Sequence, residues 1–141
     1  MNADPGISIL LVEDNPGDVK LVRYALQALG VNFTLKCCTD EPEALKNVSE
    51  WEGNPPDIVL LDLNLPRGHG FTVLKAIRNS PLLMGAPVAI LSSSQSPADR
   101  TLAKALLANR FITKPSNFDE FVREIGSAIT SLLGSSATAS Y

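Results

Sequence analysis

Acidic residues follow the first apolar run of this 141-residue chain and lie close together in sequence. The segment ILLVEDNPGD, residues 9–18, passes from an apolar run directly to Glu13 and Asp14, and a third acid, Asp18, follows. At about 4 Å and an effective dielectric constant of about 20, two carboxylates repel each other by roughly 4 kcal/mol. Positive charge is therefore expected beside these acids.

Three further strand-like runs also end in residues that could do chemistry. Asp62 ends DIVLLD, the three serines Ser92–Ser94 end PVAILSSS, and Lys114 lies near the end of RFITKP. If these runs are parallel strands of one sheet, their side chains meet at the edge formed by the carboxyl ends. Three carboxylates at that edge would supply the hard oxygen ligands that Mg²⁺ takes, together with water and phosphate oxygens.

The alternation of patterns along the chain predicts such a sheet. Strands are indicated at about residues 7–12, at the alternating Phe33, Leu35 and Cys37, at residues 58–61, in PVAIL and in RFIT. Helical stripes follow each strand; they begin near Pro16, Thr39 or Asp40, Gly70, Pro97 and Phe118. Three strands are apolar on both faces, which is typical of a doubly wound α/β protein with helices covering both sides of a parallel sheet.

Composition and charge limit the classes of function. The length indicates one domain, expected to span residues 1–133, and residues 134–141, GSSATASY, are predicted to be a short disordered tail. The net charge of −3 argues against a nucleic-acid-binding surface. No apolar run approaches the ~20 residues of a membrane helix and no signal peptide is evident, so a cytoplasmic protein is expected. The adjacent Cys37 and Cys38 point to opposite faces of a strand and are interpreted as structural thiols.

Four motifs together resemble the receiver domain of two-component response regulators. They are LLVEDNP, PDIVLLDLNLP, PVAILSSS and FITKP, and they occur in the family's order and spacing between about Ile7 and Leu133. The DLNLP context and the long IRNSPLLMGAP connection are most similar to stand-alone regulators that partner bacterial phytochromes. The resemblance implies a CheY-like, flavodoxin-like fold with five helices and strand order 2-1-3-4-5, and a signalling switch rather than an enzyme.

The resemblance also implies a role for each residue at the predicted edge. Asp62 would be the phospho-acceptor, attacking the phosphohistidine of a sensor histidine kinase as a carboxylate nucleophile. Glu13 and Asp14 would bind Mg²⁺ together with Asp62 and the backbone carbonyl of Asn64. Lys114 would stabilise the charge of the phosphoryl group during transfer.

Further positions match the family's switch. Ser92 corresponds to the hydroxyl that moves to bond the phosphoryl group, and Phe111 corresponds to the aromatic residue whose burial follows that movement. Lys114–Pro115 matches a peptide bond that is usually cis in the family. The chain departs from the family at Leu107, where glycine is common. Because leucine resists a positive φ, the fourth helix is expected to end differently.

Other functions compete with this interpretation. A pseudo-receiver keeps the fold but usually lacks an acid or the lysine, and here all are present. An aspartyl-phosphate phosphohydrolase would require Asp-x-Asp after the first strand, whereas Asp62-x-Asn64 follows the third. A flavin carrier would require a phosphate-binding loop where EDNPGD stands, and these acids repel phosphate. Asp57 begins its strand at the opposite end of the sheet and is not a candidate nucleophile.

No output domain is evident after Leu133, so the signal is expected to leave through a surface. The last helix contains more apolar residues than one stripe toward the sheet requires: Phe118, Phe121, Val122, Ile125, Ile129, Leu132 and Leu133. Surplus apolar surface often marks an interface. We therefore predict a symmetric homodimer through the fourth helix, fifth strand and fifth helix; a stripe that is wholly part of the core is the alternative.

Overall fold

Five parallel strands form one sheet in the order β2-β1-β3-β4-β5, as the resemblance implies. The computed structural model describes residues 6–94 and 96–134. The strands are β1 (Ile7–Val12), β2 (Phe33–Cys38), β3 (Ile58–Asp62), β4 (Val88–Ser92) and β5 (Arg110–Thr113). The helices are α1 (Pro16–Ala28), α2 (Glu41–Ser49), α3 (Gly70–Asn79), α4 (Pro97–Ala105) and α5 (Phe118–Gly134). All ten predicted elements are present.

Alternate residues of the central strands enter two separate cores. In β1, Leu10 and Val12 pack with residues of α2, α3 and α4, whereas Ile9 and Leu11 pack with α1 and α5. Every residue of β3 and β4 is buried. The continuous apolar runs therefore arise because both faces of these strands are covered by helices, which is the condition for an all-parallel sheet.

The register of the sheet brings the ends of β3, β4 and β5 side by side. Asp62 pairs with Leu91, and Ser92 pairs with Thr113, so the residues that end these strands share one edge. Asp57 lies at the opposite edge, where its carboxylate accepts the backbone N–H of Ser8 at 2.8 Å. The prediction that separated Asp57 from Asp62 is thus confirmed.

Side chains next to this edge cap the helices that leave it. Asn15 accepts the backbone N–H groups of Gly17 and Asp18, and Pro16 occupies the first turn of α1. Asp40, one of the two predicted caps, accepts the N–H of Glu43 at the start of α2. These bonds satisfy donors that a helix start leaves unpaired, and they fix the direction in which each helix leaves the edge.

Three expectations about individual segments have different outcomes. Gly134 is the last residue of α5, and residues 135–141, the rest of the predicted tail, lie outside the described residues. The described part of the chain contains no cis peptide bond, so the Lys114–Pro115 bond is trans and differs from the usual cis bond of the family. None of the helices in residues 6–94 and 96–134 has the length and hydrophobicity needed to cross a membrane.

Leu107 adopts the conformation that glycine would adopt, so the expectation of a different helix end is wrong. Its φ is 67°. The N–H of Leu107 bonds the carbonyl of Lys104, and the N–H of Ala108 bonds that of Ala103, which is the Schellman pattern. Arg78 stabilises this end because its guanidinium donates two hydrogen bonds to the Leu107 carbonyl, at 2.8 and 3.2 Å.

Leu107→Gly should raise the free energy of unfolding by roughly 0.5–1 kcal/mol, since it removes the cost of a left-handed L-residue and adds the smaller entropic cost of glycine. The side chain is 66 % exposed, so little burial is lost. Urea denaturation measures the change. Leu82→Gly is the matched control, since Leu82 is also exposed but has no positive φ. Equal effects of the two substitutions would contradict the argument.

Candidate functional site

Three carboxylates form a compact group at the carboxyl edge. Glu13 directly follows β1, Asp62 ends the neighbouring β3, and one oxygen from each of Glu13, Asp14 and Asp62 lies within 4.8 Å of the others. We call these three residues the acidic cluster. Glu13 and Asp62 are buried, whereas Asp14 is exposed to solvent. The cluster therefore presents one open side.

Lys114 lies against this cluster. Its Nζ is 2.8 Å from Glu13 Oε1 and 3.2 Å from Asp62 Oδ2. A third carboxylate oxygen, Asp18 Oδ2, lies at 2.8 Å. The backbone N–H of Lys114 donates to the carbonyl of Ser92 at 2.7 Å, which anchors the residue at the end of β5 beside β4. The predicted proximity of the lysine to the acids is what the structure shows.

Burial and charge act against each other at these groups. The pKa of Glu13 is raised to about 8, first by burial and then by its hydrogen bond with Asp62, while Lys114 lowers it. Burial lowers the pKa of Lys114, but hydrogen bonds to Asp18 and Glu13 and the nearby negative charges outweigh burial and raise it. Lys114 is therefore charged throughout the physiological range.

The segment after Asp62 is held by backbone contacts. Asp62 Oδ1 accepts the N–H of Asn64 at 3.0 Å. A Cβ on Gly70 would lie 2.4 Å from the Asp62 carbonyl oxygen, so only glycine permits the start of α3 to approach so closely. Glu41 of α2 accepts the N–H of His69 at 2.7 Å. These contacts fix the loop between β3 and α3; the proposed role of the Asn64 carbonyl stays a prediction.

The two predicted switch residues lie on neighbouring strands. Ser92 is fully buried, and its hydroxyl oxygen accepts the N–H of Ser94 at 3.0 Å. Phe111 is 6 % exposed, and the Arg100 guanidinium lies 4.7 Å from its ring centroid. Phe111 is thus a buried residue of β5 whose ring contacts Arg100 of α4. Movement of either residue stays a prediction.

Asp18 contacts Lys114 as closely as Glu13 does, yet the sequence analysis gave it no role. It is the third residue of α1, and the Asn15 cap directs this first turn over the edge of the sheet. The signal that could have identified it is its place in the first turn of a helix that starts at the acidic segment.

The acidic cluster has the donor chemistry of a Mg²⁺ site. Carboxylate oxygens are the ligands that Mg²⁺ prefers, and the ion usually keeps several waters, for which the exposed side at Asp14 leaves access. The chemistry of the three donors therefore fits the predicted cofactor.

Comparisons with known proteins agree with this arrangement. The family described as "Response regulator receiver domain" matches residues 9–126. Response regulator Rcp1 of Synechocystis sp. is 33 % identical over 127 residues, covering 87 % of this chain and 86 % of that protein.

Two solved structures superpose on most of this chain. The phosphorylated cyanobacterial phytochrome response regulator RcpA has a TM-score of 0.83 and 32 % identity, covering 95 % of this chain and 99 % of RcpA. The Mn²⁺-bound form of Rcp1 also has a TM-score of 0.83, with 28 % identity, covering 96 % and 99 % of the two chains. The resemblance to phytochrome-type regulators is thereby confirmed.

Asp14→Asn should weaken Mg²⁺ binding by more than roughly tenfold, because it removes a charged oxygen from the acidic cluster. Without metal the variant should be at least as stable as the wild type, since repulsion with the other two acids is reduced. Calorimetric titration and thermal melting in a chelator measure the two effects. Asp57→Asn, at the opposite edge, is the control that should leave Mg²⁺ affinity unchanged. A metal-free Asp14→Asn protein that melts well below the wild type would refute the repulsion argument.

Proposed function

This chain belongs to the response regulator receiver family, and on that premise we propose that it is a stand-alone switch that accepts a phosphoryl group on Asp62 from a sensor histidine kinase. The observation that carries the proposal is the position of the Lys114 ammonium, which lies 3.2 Å from Asp62 and 2.8 Å from Glu13. A nucleophilic carboxylate, a cation and a set of metal-binding oxygens are thus adjacent at one edge of the sheet.

The proposed transfer uses the Asp62 carboxylate as nucleophile. One carboxylate oxygen attacks the phosphorus of the kinase phosphohistidine, an O–P bond forms as the N–P bond breaks, and the electron pair returns to the imidazole. Mg²⁺, held by Glu13, Asp14 and Asp62, would neutralise charge on the phosphoryl oxygens. Lys114 offsets the same charge from another side, because its ammonium already contacts Asp62.

A pseudo-receiver and a phosphohydrolase are less well supported. The structure brings together the three acids and the lysine that a pseudo-receiver usually loses in part. Asp62, the proposed nucleophile, lies at the end of the third strand and not of the first, where the hydrolase motif would lie. The chain is therefore proposed to act as a switch that is phosphorylated and reset, not as an enzyme that turns over a substrate.

The similarity to Rcp1 and RcpA supports a more specific partner. RcpA is described as a phytochrome response regulator. We therefore propose that the kinase is of the phytochrome type and that both proteins meet in the cytoplasm. The free thiols Cys37 and Cys38 are compatible with a reducing compartment.

Acetyl phosphate with Mg²⁺ should add one phosphoryl group to the wild-type protein and none to Asp62→Asn, because Asp62 is the carboxylate that shares its edge with Glu13, Asp14 and Lys114. Intact-mass spectrometry measures uptake, and peptide analysis locates the group. Asp57→Asn should be phosphorylated like the wild type. Phosphate on Asp57 or His69, or uptake without Mg²⁺, would overturn the assignment.

We propose that Ser92 and Phe111 transmit the change. Phosphorylation would draw the Ser92 hydroxyl from Ser94 toward the new anion and bias the position of Phe111, shifting an existing equilibrium. Phe111 lies next to this strand, since Ile90 of β4 pairs with it. The contact between Arg100 and the Phe111 ring connects the same residue to α4.

Ser92→Ala should still accept phosphate on Asp62 but lose most of the chemical-shift change around Phe111, because the moving hydroxyl is gone. Heteronuclear NMR of each protein before and after phosphorylation tests this. Ser93→Ala is the matched control, since Ser93 is the exposed neighbour and should respond like the wild type. Equal responses of Ser92→Ala and the wild type would exclude the role of Ser92.

A symmetric homodimer through α4, β5 and α5 also stays a proposal. The apolar residues that motivated it divide in the structure. Four of the seven are buried in the core: Phe121, Ile125, Ile129 and Leu132. Val122 is partly buried against the same core, and Leu133 is exposed. The exposed Phe118 contacts Tyr24 of α1 with ring centroids 5.6 Å apart. Charge now supports the proposal better than apolar surface does. A groove of about 700 Å³ on this face is lined by three basic residues, Arg100, Arg110 and Lys114, and by two acidic residues, Glu120 and Glu124. A two-fold axis could pair the two arginines of one protomer with the two glutamates of the other.

Sedimentation velocity should show dimers of the wild type at high concentration, and Glu124→Arg should weaken association because it replaces one partner of the charge pairing. Glu50→Arg, next to α2, changes net charge equally and is the control. A protein that stays strictly monomeric with and without phosphate would refute the dimer.

A further inference from the structure

Lys114 has a partner that lies outside the acidic cluster. An ammonium group has three N–H donors, and among the described residues Lys114 has three carboxylate acceptors. Two of them, Glu13 and Asp62, belong to the cluster, and the third is Asp18 at 2.8 Å. Asp18 is thus the one acceptor of Lys114 that the proposed metal site does not include.

The geometry points to Asp18 as a positioning residue that holds the Lys114 ammonium at Asp62. Glu13 then serves as a metal ligand, and Asp62 serves as both a metal ligand and the nucleophile. This inference rests on the proposed function and adds to it a residue that acts through Lys114. Glu13 and Asp62 have two tasks each, since they contact Lys114 and also supply oxygens to the cluster. Asp18 has no second task of this kind, so its contact with Lys114 can persist when the others weaken.

The surroundings of Asp18 suit that task. Asp18 is the third residue of α1, and its backbone N–H donates a hydrogen bond to Asn15 Oδ1 at 3.2 Å. The side chains of Asp18 and Lys114 are only 20 % and 13 % exposed, so water screens the pair less than it screens a surface ion pair. A free lysine side chain has several rotatable bonds, and a fixed acceptor removes that freedom before the reaction begins.

Asp99 provides a closely matched control. It is the third residue of α4, after Pro97 and Ala98, as Asp18 is the third residue of α1 after Pro16 and Gly17. Asp99→Asn removes a negative charge from the same position of a helix start, but Asp99 is not one of the three carboxylates on Lys114. A general effect of helix capping or net charge would appear in both variants.

The first measurement is the rate of Mg²⁺-dependent phosphorylation by acetyl phosphate. Asp18→Asn should lower the rate roughly fivefold, because Lys114 is no longer held in place, and Asp99→Asn should not change it. Asp18→Glu should restore part of the rate. In a Lys114→Met background, Asp18→Asn should have no further effect. An unchanged or higher rate in Asp18→Asn, or an equal loss in the Lys114→Met background, would overturn the inference.

The second measurement does not depend on phosphorylation. The ¹⁵N-labelled side-chain ammonium signal of Lys114, assigned by its loss in Lys114→Met, should persist in the wild type with Mg²⁺ and broaden beyond detection in Asp18→Asn. The same signal in both proteins would overturn the inference. If the wild type takes up no phosphate, the proposed function fails and this signal still decides the role of Asp18. If the wild type is phosphorylated and Asp18→Asn matches it in both measurements, only the role of Asp18 fails.

Discussion

The Lys114 ammonium offsets the mutual repulsion of carboxylates that the fold forces together. Adjacent parallel strands place Glu13 and Asp62 side by side, and both are buried where water cannot separate their charges. Burial alone favours neutral acids, as the raised pKa of Glu13 shows. The single Lys114 cation contacts three carboxylates, those of Glu13, Asp18 and Asp62. These contacts hold the region together while its net charge stays negative. That remaining negative charge favours the binding of a divalent cation, which we propose for this edge.

The main parts of this site could be predicted because they depend on strand order alone. Once Glu13, Asp62 and Lys114 are assigned to the ends of β1, β3 and β5, a parallel sheet must gather them at one edge. Asp18 could not be assigned a partner in the same way. Its direction depends on the Asn15 cap and on the angle at which α1 leaves the sheet, and neither is visible in the spacing of apolar residues.

The surface was less predictable than the core for a related reason. Periodicity correctly identified α5 as strongly apolar, but it cannot tell which neighbour each apolar residue meets. Phe118 turned out to contact Tyr24 of α1, so it does not add to the face formed by α4 and β5. Leu107 is a similar case, because the bonds from Arg78 override the backbone preference of leucine. Local propensity fails where distant residues supply the decisive contact.

The left-handed Leu107 also bears on the order in which the chain folds. Arg78 and Leu107 are 29 residues apart in sequence, so their hydrogen bonds form only after α3 and the end of α4 have met. Until then only the two local backbone hydrogen bonds of the Schellman pattern act against the unfavourable φ, so the last turn of α4 is weakly held. This end of the helix should therefore order after the folding transition state. Substitutions there should change the folding rate little relative to their effect on stability, which is a low φ-value in kinetic analysis and is unrelated to the backbone angle. The hydrogen bonds from Arg78 to Leu107 would slow unfolding more than they speed folding. Their main contribution is therefore to the kinetic stability of the native state.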